Sequence, residues 1–238
     1  TRLAGVESAC GKYITFVDSD DEIPQGTIEA MLDAAFEYDA DIVQGSMDEK
    51  TLDGVISHNY SNPLDTNASK EAIKGFPCGK LFKAELFKNI CFPEKYWFED
   101  SNVSMLLVPR AKRLVTIPNV VYYYITNPNS ITHTHKGKAK TIDSFYVTRS
   151  LLADQQRIKD RGEELDYRLE KMFDQITNNW QRTFSLGLEI ESAIFVLTCE
   201  MFVKRFPNPT SYDSKYKNLC ESLMNKDFDI YRRECAFL

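Results

Sequence analysis

Two different patterns of apolar residues follow one another along this chain of 238 residues. Up to about residue 138, short apolar runs rich in β-branched and aromatic residues alternate with helically spaced apolar positions and with turn residues. This order is typical of an α/β domain. After residue 138, glycine and proline become rare until Phe206, and apolar residues recur at helical spacing. The pattern therefore predicts an α/β part over residues 1–138 and an all-helical extension over residues 139–238.

The local pattern also places individual elements within the α/β part. Residues 2–10 are predicted to form a short helix that ends at Gly11, a residue suited to a helix C-terminus. The run Tyr13-Ile14-Thr15-Phe16-Val17 is apolar almost throughout, which predicts a strand buried on both faces, as in a parallel sheet. Further strands are predicted at 40–47, 55–58, 80–82, 114–117 and 120–125, and further helices near Thr27, Ser69, Ala84 and Asp100.

Composition and charge exclude several classes of protein. Hydrophobic residues make up 43% of the chain, which excludes wholesale disorder. The net charge of −6 disfavours nucleic-acid binding, since phosphate recognition usually needs a basic excess. No apolar run reaches the roughly 18 residues that a transmembrane helix needs. The six cysteines form neither C-x-x-C pairs nor zinc-type spacings, so we expect a reducing, cytoplasmic compartment.

An acidic cluster, Asp18-Ser19-Asp20-Asp21, follows directly on the predicted strand at 13–17. Ligands in α/β sheets bind beyond the carboxyl ends of strands, and dense carboxylates suit Mg²⁺ or Mn²⁺. Two other interpretations compete with a Mg²⁺ or Mn²⁺ site. A solvated acidic turn uses the same residue types, and a phosphoaspartate hydrolase also places D-x-D after an apolar strand. An EF-hand is disfavoured, because its required glycine is missing here.

The residues around this cluster resemble a family signature. The matching positions are Arg2, Gly5, Ala9, Gly11, Tyr13, Phe16, Asp18-Ser19-Asp20-Asp21 and Pro24. They resemble the R-N-x-G-x-x-x-A-x-G-x-Y-x-x-F-x-D-S-D-D-x-x-x-P signature of family 2 glycosyltransferases, which are inverting enzymes of the GT-A fold. Three more blocks follow in the family's order: Gly79-Lys80-Leu81-Phe82, then Phe92-Pro93-Glu94 with Phe98-Glu99-Asp100, then Tyr122-Tyr123-Tyr124 with Ser130-Ile131-Thr132-His133. The resemblance implies the C-terminal portion of a GT-A mixed sheet, followed by the helical extension.

The resemblance also implies a metal and a donor. Asp18 and Asp20, with Asp21, would hold Mn²⁺ or Mg²⁺ on the diphosphate of a nucleotide sugar such as a UDP-sugar. The cation would neutralise charge on the leaving diphosphate. His133 would complete the metal shell or contact the diphosphate, although a histidine in a loop needs no such role.

Catalytic and phosphate-binding roles follow from the same resemblance. Asp100 would be the general base that deprotonates the acceptor hydroxyl, with Glu99 as the alternative. Without the family match, Glu99-Asp100 would be read as the start of a helix, where acidic residues are favoured. Arg2 and Lys80 would contact phosphate or a carboxylate, although single cations are more often surface residues.

The chain also departs from the family pattern. Leu3 replaces the usual Asn, and Cys78-Gly79 replaces a Trp-containing segment before Lys80. The family's first half, which supplies the pocket for the nucleotide base and ribose, does not precede Thr1 in this sequence. We therefore expect a partial GT-A domain with an incomplete donor pocket, which does not catalyse transfer by itself.

The remaining expectations concern the acceptor and partners. The resemblance implies a saccharide or lipid-linked acceptor, and the latter adds peripheral association with the inner face of the membrane. The apolar stripes of the helical extension fit packing on the α/β part, and they also fit a homodimer interface. A non-catalytic interaction module and a D-x-D phosphohydrolase are the alternative functions.

Overall fold

The computed structural model describes residues 2–90, 93, 95–128, 130–157, 165–206 and 215–238. Phe92 and Glu94 of the signature, and the run Pro207-Asn208-Pro209, lie outside the described residues. The chain forms two compact units, one of Thr1–Glu94 with Asn102–His133 and the other of Lys95–Ser101 with Thr134–Leu238. The predicted domain boundary after residue 138 stays a prediction.

The first unit is built on a sheet that has five strands in the described residues. The strands are β1 (Tyr13–Thr15), β2 (Ile42–Lys50), β3 (Ile56–Tyr60), β4 (Lys80–Lys83) and β5 (Leu114–Ile125). The α-helices are α1 (Arg2–Ser8), α2 (Thr27–Glu37), α3 (Val108–Arg110) and α4 (Ile131–Thr134). Two 3₁₀ turns cover Lys70–Ala72 and Ala84–Phe87, and a π-helix over Val103–Leu107 leads into α3.

The sheet is mixed, as expected. Its strand order is β1-β4-β2-β3, all antiparallel neighbours, and β5 pairs with β2 in parallel. The predicted burial of β1 on both faces is wrong, because β1 is only partly buried and its ladder is antiparallel, with β4. Among the described strands β1 pairs with β4 alone, so it lies at an edge, and Val17 beyond it is 45% exposed.

Strand β5 joins two segments that the sequence pattern separates at Pro118-Asn119. Residues 42–44 of β2 pair with 114–116 of β5, and pairing resumes from Ser46 opposite Val120 after a register shift. The irregularity accommodates Pro118, which has no N–H to donate to a ladder. Strands β2 and β5 approach closely here, since a Cβ at Gly45 would lie 2.4 Å from Val121. The sequence pattern predicts a break at Pro118, but it does not reveal the irregularity in pairing that lets β5 continue through this position.

Helix α2 packs on the sheet and closes the core of the first unit. Its buried face presents Met31, Ala34 and Ala35 to a core cluster that includes Val43 and Val121. The helical spacing of the sequence predicts one apolar face with Ile28, Met31, Leu32, Ala35 and Phe36, and this is correct at Met31 and Ala35. It is wrong at two further positions, because Ile28 is 40% and Phe36 is 63% exposed. Even so, the Phe36 ring contacts the edge of Tyr13 on β1, with centroids 5.8 Å apart.

The second unit is helical in its described residues, which confirms the predicted extension. Its α-helices are α5 (Asp143–Arg157), α6 (Leu165–Thr183), α7 (Leu188–Arg205), α8 (Lys217–Asn225) and α9 (Phe228–Phe237). The 3₁₀ turns are Glu99–Ser101, Ala139–Ile142 and Phe184–Leu186. Phe173 of α6 packs against Phe202 of α7 and stacks on Tyr216, with centroids 5.6 and 5.1 Å away. Across the described residues, no helix combines the length and apolar character needed to cross a bilayer.

Candidate functional site

The acidic turn that follows β1 is fastened to strand β5. Its first hydrogen bond runs from the Asp21 N–H to the Asp18 carbonyl at 3.1 Å, which closes the turn. The Asp21 carboxylate accepts one hydrogen bond from the Ile125 N–H at 2.8 Å and one from the Tyr122 hydroxyl at 2.7 Å. Glu22 then exchanges two backbone hydrogen bonds with Tyr123, at 2.8 and 3.2 Å. Asp21 is therefore an anchor that fixes the turn at the carboxyl end of β5.

Asp18 is oriented by three groups from different parts of the first unit. The Arg2 guanidinium of α1 donates to its carboxylate at 2.7 Å, and the Cys78 thiol donates to the other carboxylate oxygen at 3.5 Å. The backbone N–H of Asp18 donates to the Tyr122 hydroxyl at 3.1 Å. Tyr122 thus bonds to both Asp18 and Asp21. Arg2 contacts a carboxylate, which is one of the two roles expected for it.

The structure brings Asp18, Asp21 and Cys78 together as a group that could hold a cation. One potential ligand atom from each residue lies within 4.8 Å of the others. The predicted metal set is therefore matched at Asp18 and Asp21. Asp20 and His133 are both exposed and are not part of this group, which was sought among the described residues. We define this group as the Asp18–Asp21–Cys78 cluster.

The protonation of the cluster favours oxygen ligation. Burial raises the pKa of the Cys78 thiol to about 12, so at neutral pH it is a neutral hydrogen-bond donor. Burial also raises the pKa of Asp21, against the lowering effect of its hydrogen bonds from Ile125 and Tyr122. Burial raises the pKa of Tyr122 far above its usual range, which keeps its hydroxyl proton in place for Asp21. Two carboxylates beside a protonated thiol fit Mg²⁺ or Mn²⁺, both of which prefer oxygen.

We predict that Asp21→Ala lowers the free energy of unfolding by about 2 kcal/mol, because it leaves the Tyr122 hydroxyl and the Ile125 N–H without their acceptor. Asp20→Ala is the matched control, since it removes an exposed carboxylate from the same turn and should change stability by less than about 0.5 kcal/mol. Urea denaturation of both variants measures the difference. Equal stability of the two variants would contradict the anchoring role of Asp21.

Lys80 lies inside the first unit rather than at its surface. Its side chain is fully buried, and its ammonium donates to the backbone carbonyls of Phe76 at 2.7 Å and Cys78 at 3.3 Å. The Lys80 nitrogen also lies 4.2 Å from the centre of the Phe76 ring. Burial lowers the pKa of Lys80 to about 7. In this arrangement Lys80 supports the segment before β4 from within, and contact with a phosphate would require it to leave both carbonyls.

Glu99 and Asp100 belong to the second unit, where they form a 3₁₀ turn after a strained residue. Phe98 has a positive φ of 66°, a conformation that is costly for a bulky side chain. The Arg182 guanidinium of α6 lies 3.9 Å from the centre of the Phe98 ring and donates to the Ser144 hydroxyl at 2.7 Å. Burial lowers the pKa of Arg182, and the Asp100 carboxylate opposes that shift. The turn is therefore held beside a partly buried cation.

The roles of three residues in these arrangements could not be predicted from the sequence alone. Cys78 stands where the family has a different segment, and no spacing links it to Asp18. The sequence shows Tyr122 within a run of tyrosines, which does not reveal which hydroxyl contacts the acidic turn. Arg182 lies far from Asp100 along the chain and on an ordinary amphipathic helix. In the sequence, only the run of aspartates after a strand indicated where the candidate site lies.

Comparison with known proteins agrees with the geometry of the first unit. Residues 1–93 match the family model for glycosyl transferase family 2. This match contains the acidic turn and Cys78, which build the cluster, and α1, whose Arg2 pairs with Asp18. The resemblance found in the motifs is thereby confirmed for this segment.

The curated relatives include two glycosyltransferases of Streptococcus pneumoniae and a teichoic acid biosynthesis protein of Bacillus subtilis. The chain is 27% identical over 174 residues to the glycosyltransferase GlyA of Streptococcus pneumoniae, which covers 64% of the chain and 25% of GlyA. It is 28% identical over 167 residues to GlyG of the same organism, covering 63% of the chain and 56% of GlyG. The minor teichoic acid biosynthesis protein GgaB of Bacillus subtilis is 27% identical over 148 residues, which are 58% of the chain and 16% of GgaB. The chain thus spans between one sixth and just over half of these relatives.

Solved structures show the fold. The structure of TarS residues 1–349 from S. aureus superposes with a TM-score of 0.69 at 22% identity, covering 99% of this chain and 68% of that one. The structure of the same protein with UDP-GlcNAc has a TM-score of 0.70 at 18% identity, covering 99% and 70%. The mixed sheet and the helical C-terminal part therefore correspond to a GT-A fold.

Proposed function

We propose that this chain, whose residues 1–93 match glycosyl transferase family 2, is part of an inverting enzyme that moves a sugar from a nucleotide-diphosphate sugar to a saccharide or lipid-linked acceptor. The observation that carries the proposal is the Asp18–Asp21–Cys78 cluster at the carboxyl end of β1, inside the family match. Carboxylates held at a strand end are positioned for a ligand beyond the sheet. The acidic turn contributes two residues to the cluster and lies within the segment that matches the family.

The metal and donor parts of the proposal rest on the acidic turn. Asp18 and Asp21 would hold Mn²⁺ or Mg²⁺, with the exposed Asp20 beside them. When bound, the cation supplies positive charge to the leaving diphosphate. Arg2 orients Asp18, and Tyr122 holds both carboxylates of the pair in place. TarS has been solved in complex with UDP and in complex with UDP-GlcNAc, and this supports a UDP-sugar as the donor for this chain.

The acceptor part of the proposal rests on the turn that contains Glu99 and Asp100. We assign Asp100 as the general base that takes the proton from the acceptor hydroxyl, and Glu99 as the alternative. Support comes from the strained Phe98 before the turn and from the partly buried Arg182 near Asp100. Backbone strain of this kind persists where the surroundings enforce it, and such sites are often functional.

We predict that the protein binds UDP-GlcNAc in the presence of Mn²⁺, and that Asp18→Asn, which changes a carboxylate of the cluster, weakens this binding by about tenfold or more, as is usual when metal ligation is disturbed. Isothermal titration measures the affinity, first of this chain and then of the protein together with any residues that its gene encodes before Thr1. Asp33→Asn, an exposed carboxylate on α2, is the matched control.

Two results would contradict the proposed function. One is the absence of UDP-sugar binding in both forms of the protein, with a panel of other nucleotide sugars equally inactive. The other is an affinity that stays the same in the Asp18→Asn and Asp33→Asn proteins.

A further inference from the structure

Basic and aromatic side chains form two groups in the second unit, one around Trp97 and one around Tyr146, which follow from the adjacent residues Trp97 and Tyr96. We call the two groups together the basic–aromatic track. Its members are Tyr96, Trp97, Lys138, Lys140, Tyr146 and Arg149, and it continues into a cavity between α5 and α7. Tyr96 and Trp97 directly precede the turn that contains Glu99 and Asp100. The track therefore begins within a few residues of the proposed general base.

The first part of the track is an indole ring flanked by two ammonium groups. The nitrogens of Lys138 and Lys140 lie 5.9 and 5.8 Å from the centre of the Trp97 ring. Asp143 fixes this arrangement, because its carboxylate accepts from the backbone N–H of Trp97 at 2.9 Å and pairs with Lys140 at 2.8 Å. Lys140 also donates to the Lys95 carbonyl at 2.9 Å. The segment before Glu99 is thus attached to the start of α5.

The middle of the track alternates rings with a cation. The Tyr96 and Tyr146 rings lie 6.3 Å apart, and they are 42% and 41% exposed. The Arg149 guanidinium lies 5.3 Å from the centre of the Tyr146 ring and is exposed. A half-exposed ring offers its face to a flat partner such as a sugar ring, while its edge stays packed.

The far end of the track is a cavity of about 280 Å³. Phe145 and Leu152 contribute apolar walls, and Arg149 and Lys204 contribute positive charge. Its lining also contains Glu200. Arg149 belongs to both the group around Tyr146 and the cavity, which makes the two parts continuous.

The charge of the track is opposite to that of the chain. The protein has a net charge of −6, yet cations recur along the whole track. Of the carboxylates that face it, Asp143 is already bound to Lys140 and Glu200 is in the cavity wall. A local excess of positive charge on an acidic protein attracts an anionic ligand to that place and disfavours neutral ones.

We propose that the basic–aromatic track binds the acceptor, and that the acceptor is a saccharide chain that carries phosphate groups. The rings contact sugar faces, and Lys138, Lys140 and Arg149 pair with successive phosphates. A lipid surface fits less well, because Tyr96 and Tyr146 are only 42% and 41% exposed and Trp97 is partly buried, which leaves little apolar surface for insertion. The role as acceptor rests on the proposed function, whereas binding of the phosphate chain can be measured without it.

The test uses the full chain and a soluble phosphorylated dextran oligomer as the probe. Isothermal titration without nucleotide compares the wild type with Lys138→Gln/Arg149→Gln, which changes two exposed side chains and leaves the Asp143 contacts intact. The matched control is Lys217→Gln/Arg233→Gln, which removes the same charges from exposed positions on α8 and α9. We expect the track variant to bind at least about tenfold more weakly, because two charge-assisted contacts are lost. The control should bind as the wild type does.

Three outcomes would overturn the proposal. Equal affinity of the track variant and the control is the first, and equal affinity of the wild type for a neutral dextran oligomer is the second. The third is binding to phosphatidylglycerol vesicles without binding to the oligomer, which would make the surface a membrane contact. Folding of each variant is checked by its thermal transition, and the single variant Lys138→Gln tests the track if the double variant does not fold. Separate titration with UDP-GlcNAc and Mn²⁺ distinguishes failure of the track from failure of the proposed glycosyltransferase function.

Discussion

Sugar transfer by the Asp100→Asn protein is expected to fall by a factor of about 10² to 10⁴, which is the usual contribution of a positioned general base. Asparagine has nearly the same shape as aspartate, but its amide cannot accept the proton of the acceptor hydroxyl. The turn should keep its place, since Arg182 still stacks on Phe98 and still donates to Ser144. Binding of the nucleotide sugar should therefore stay unchanged while the rate of transfer falls.

The measurement is transfer of labelled sugar, with the affinity for UDP-GlcNAc determined in parallel. Glu99→Gln is the matched control, because Glu99 is the neighbouring carboxylate in the same 3₁₀ turn. The extended form of the protein is used if the chain alone shows no transfer. A larger loss in Glu99→Gln than in Asp100→Asn would exchange the two roles, and full activity in both would remove the turn from the mechanism.

The second large effect concerns stability and involves the buried Lys80. We predict that the wild type gains stability relative to Lys80→Met by about 1.4 kcal/mol for each pH unit between pH 7 and the unfolded pKa near 10.4. The cause is that burial lowers the pKa of Lys80 to about 7 in the folded protein. Between these values the unfolded chain binds a proton that the folded chain does not, so rising pH favours folding.

The comparison with Lys80→Met isolates this effect from other titrations. Burial raises the pKa of Cys78 to about 12, so its contribution to stability falls with rising pH and opposes that of Lys80. Both proteins contain Cys78, and their difference cancels its contribution. Urea denaturation at pH 7, 8 and 9 with a chelator present measures the difference, and Lys88→Met controls for the loss of an exposed lysine. A difference that does not change with pH would show that Lys80 keeps its proton when the protein folds.

Local patterns in the amino-acid sequence were sufficient for several features. The order of short strands and helices, the helical extension and the acidic turn after β1 depend on neighbours within a few residues, which the spacing of apolar and polar side chains records. The family signature around Asp18 additionally predicted the GT-A fold. These features could be predicted because each is determined within one short segment.

Other features depend on which distant segments meet when the chain packs. Cys78 and Tyr122 approach the acidic turn from β4 and β5, and Asp21 serves as an anchor only because the Ile125 N–H lies opposite it. As a single cation in the sequence, Lys80 is expected at the surface. Its strand β4 lies in the middle of the sheet, and the side chain is buried there. The spacing of residues along a chain contains no information on such pairings, because they are set by the packing of whole elements against one another. The sequence therefore predicted the metal-binding chemistry of the candidate site from its aspartates. The hydrogen bonds and the protonation of the site were decided by the tertiary structure.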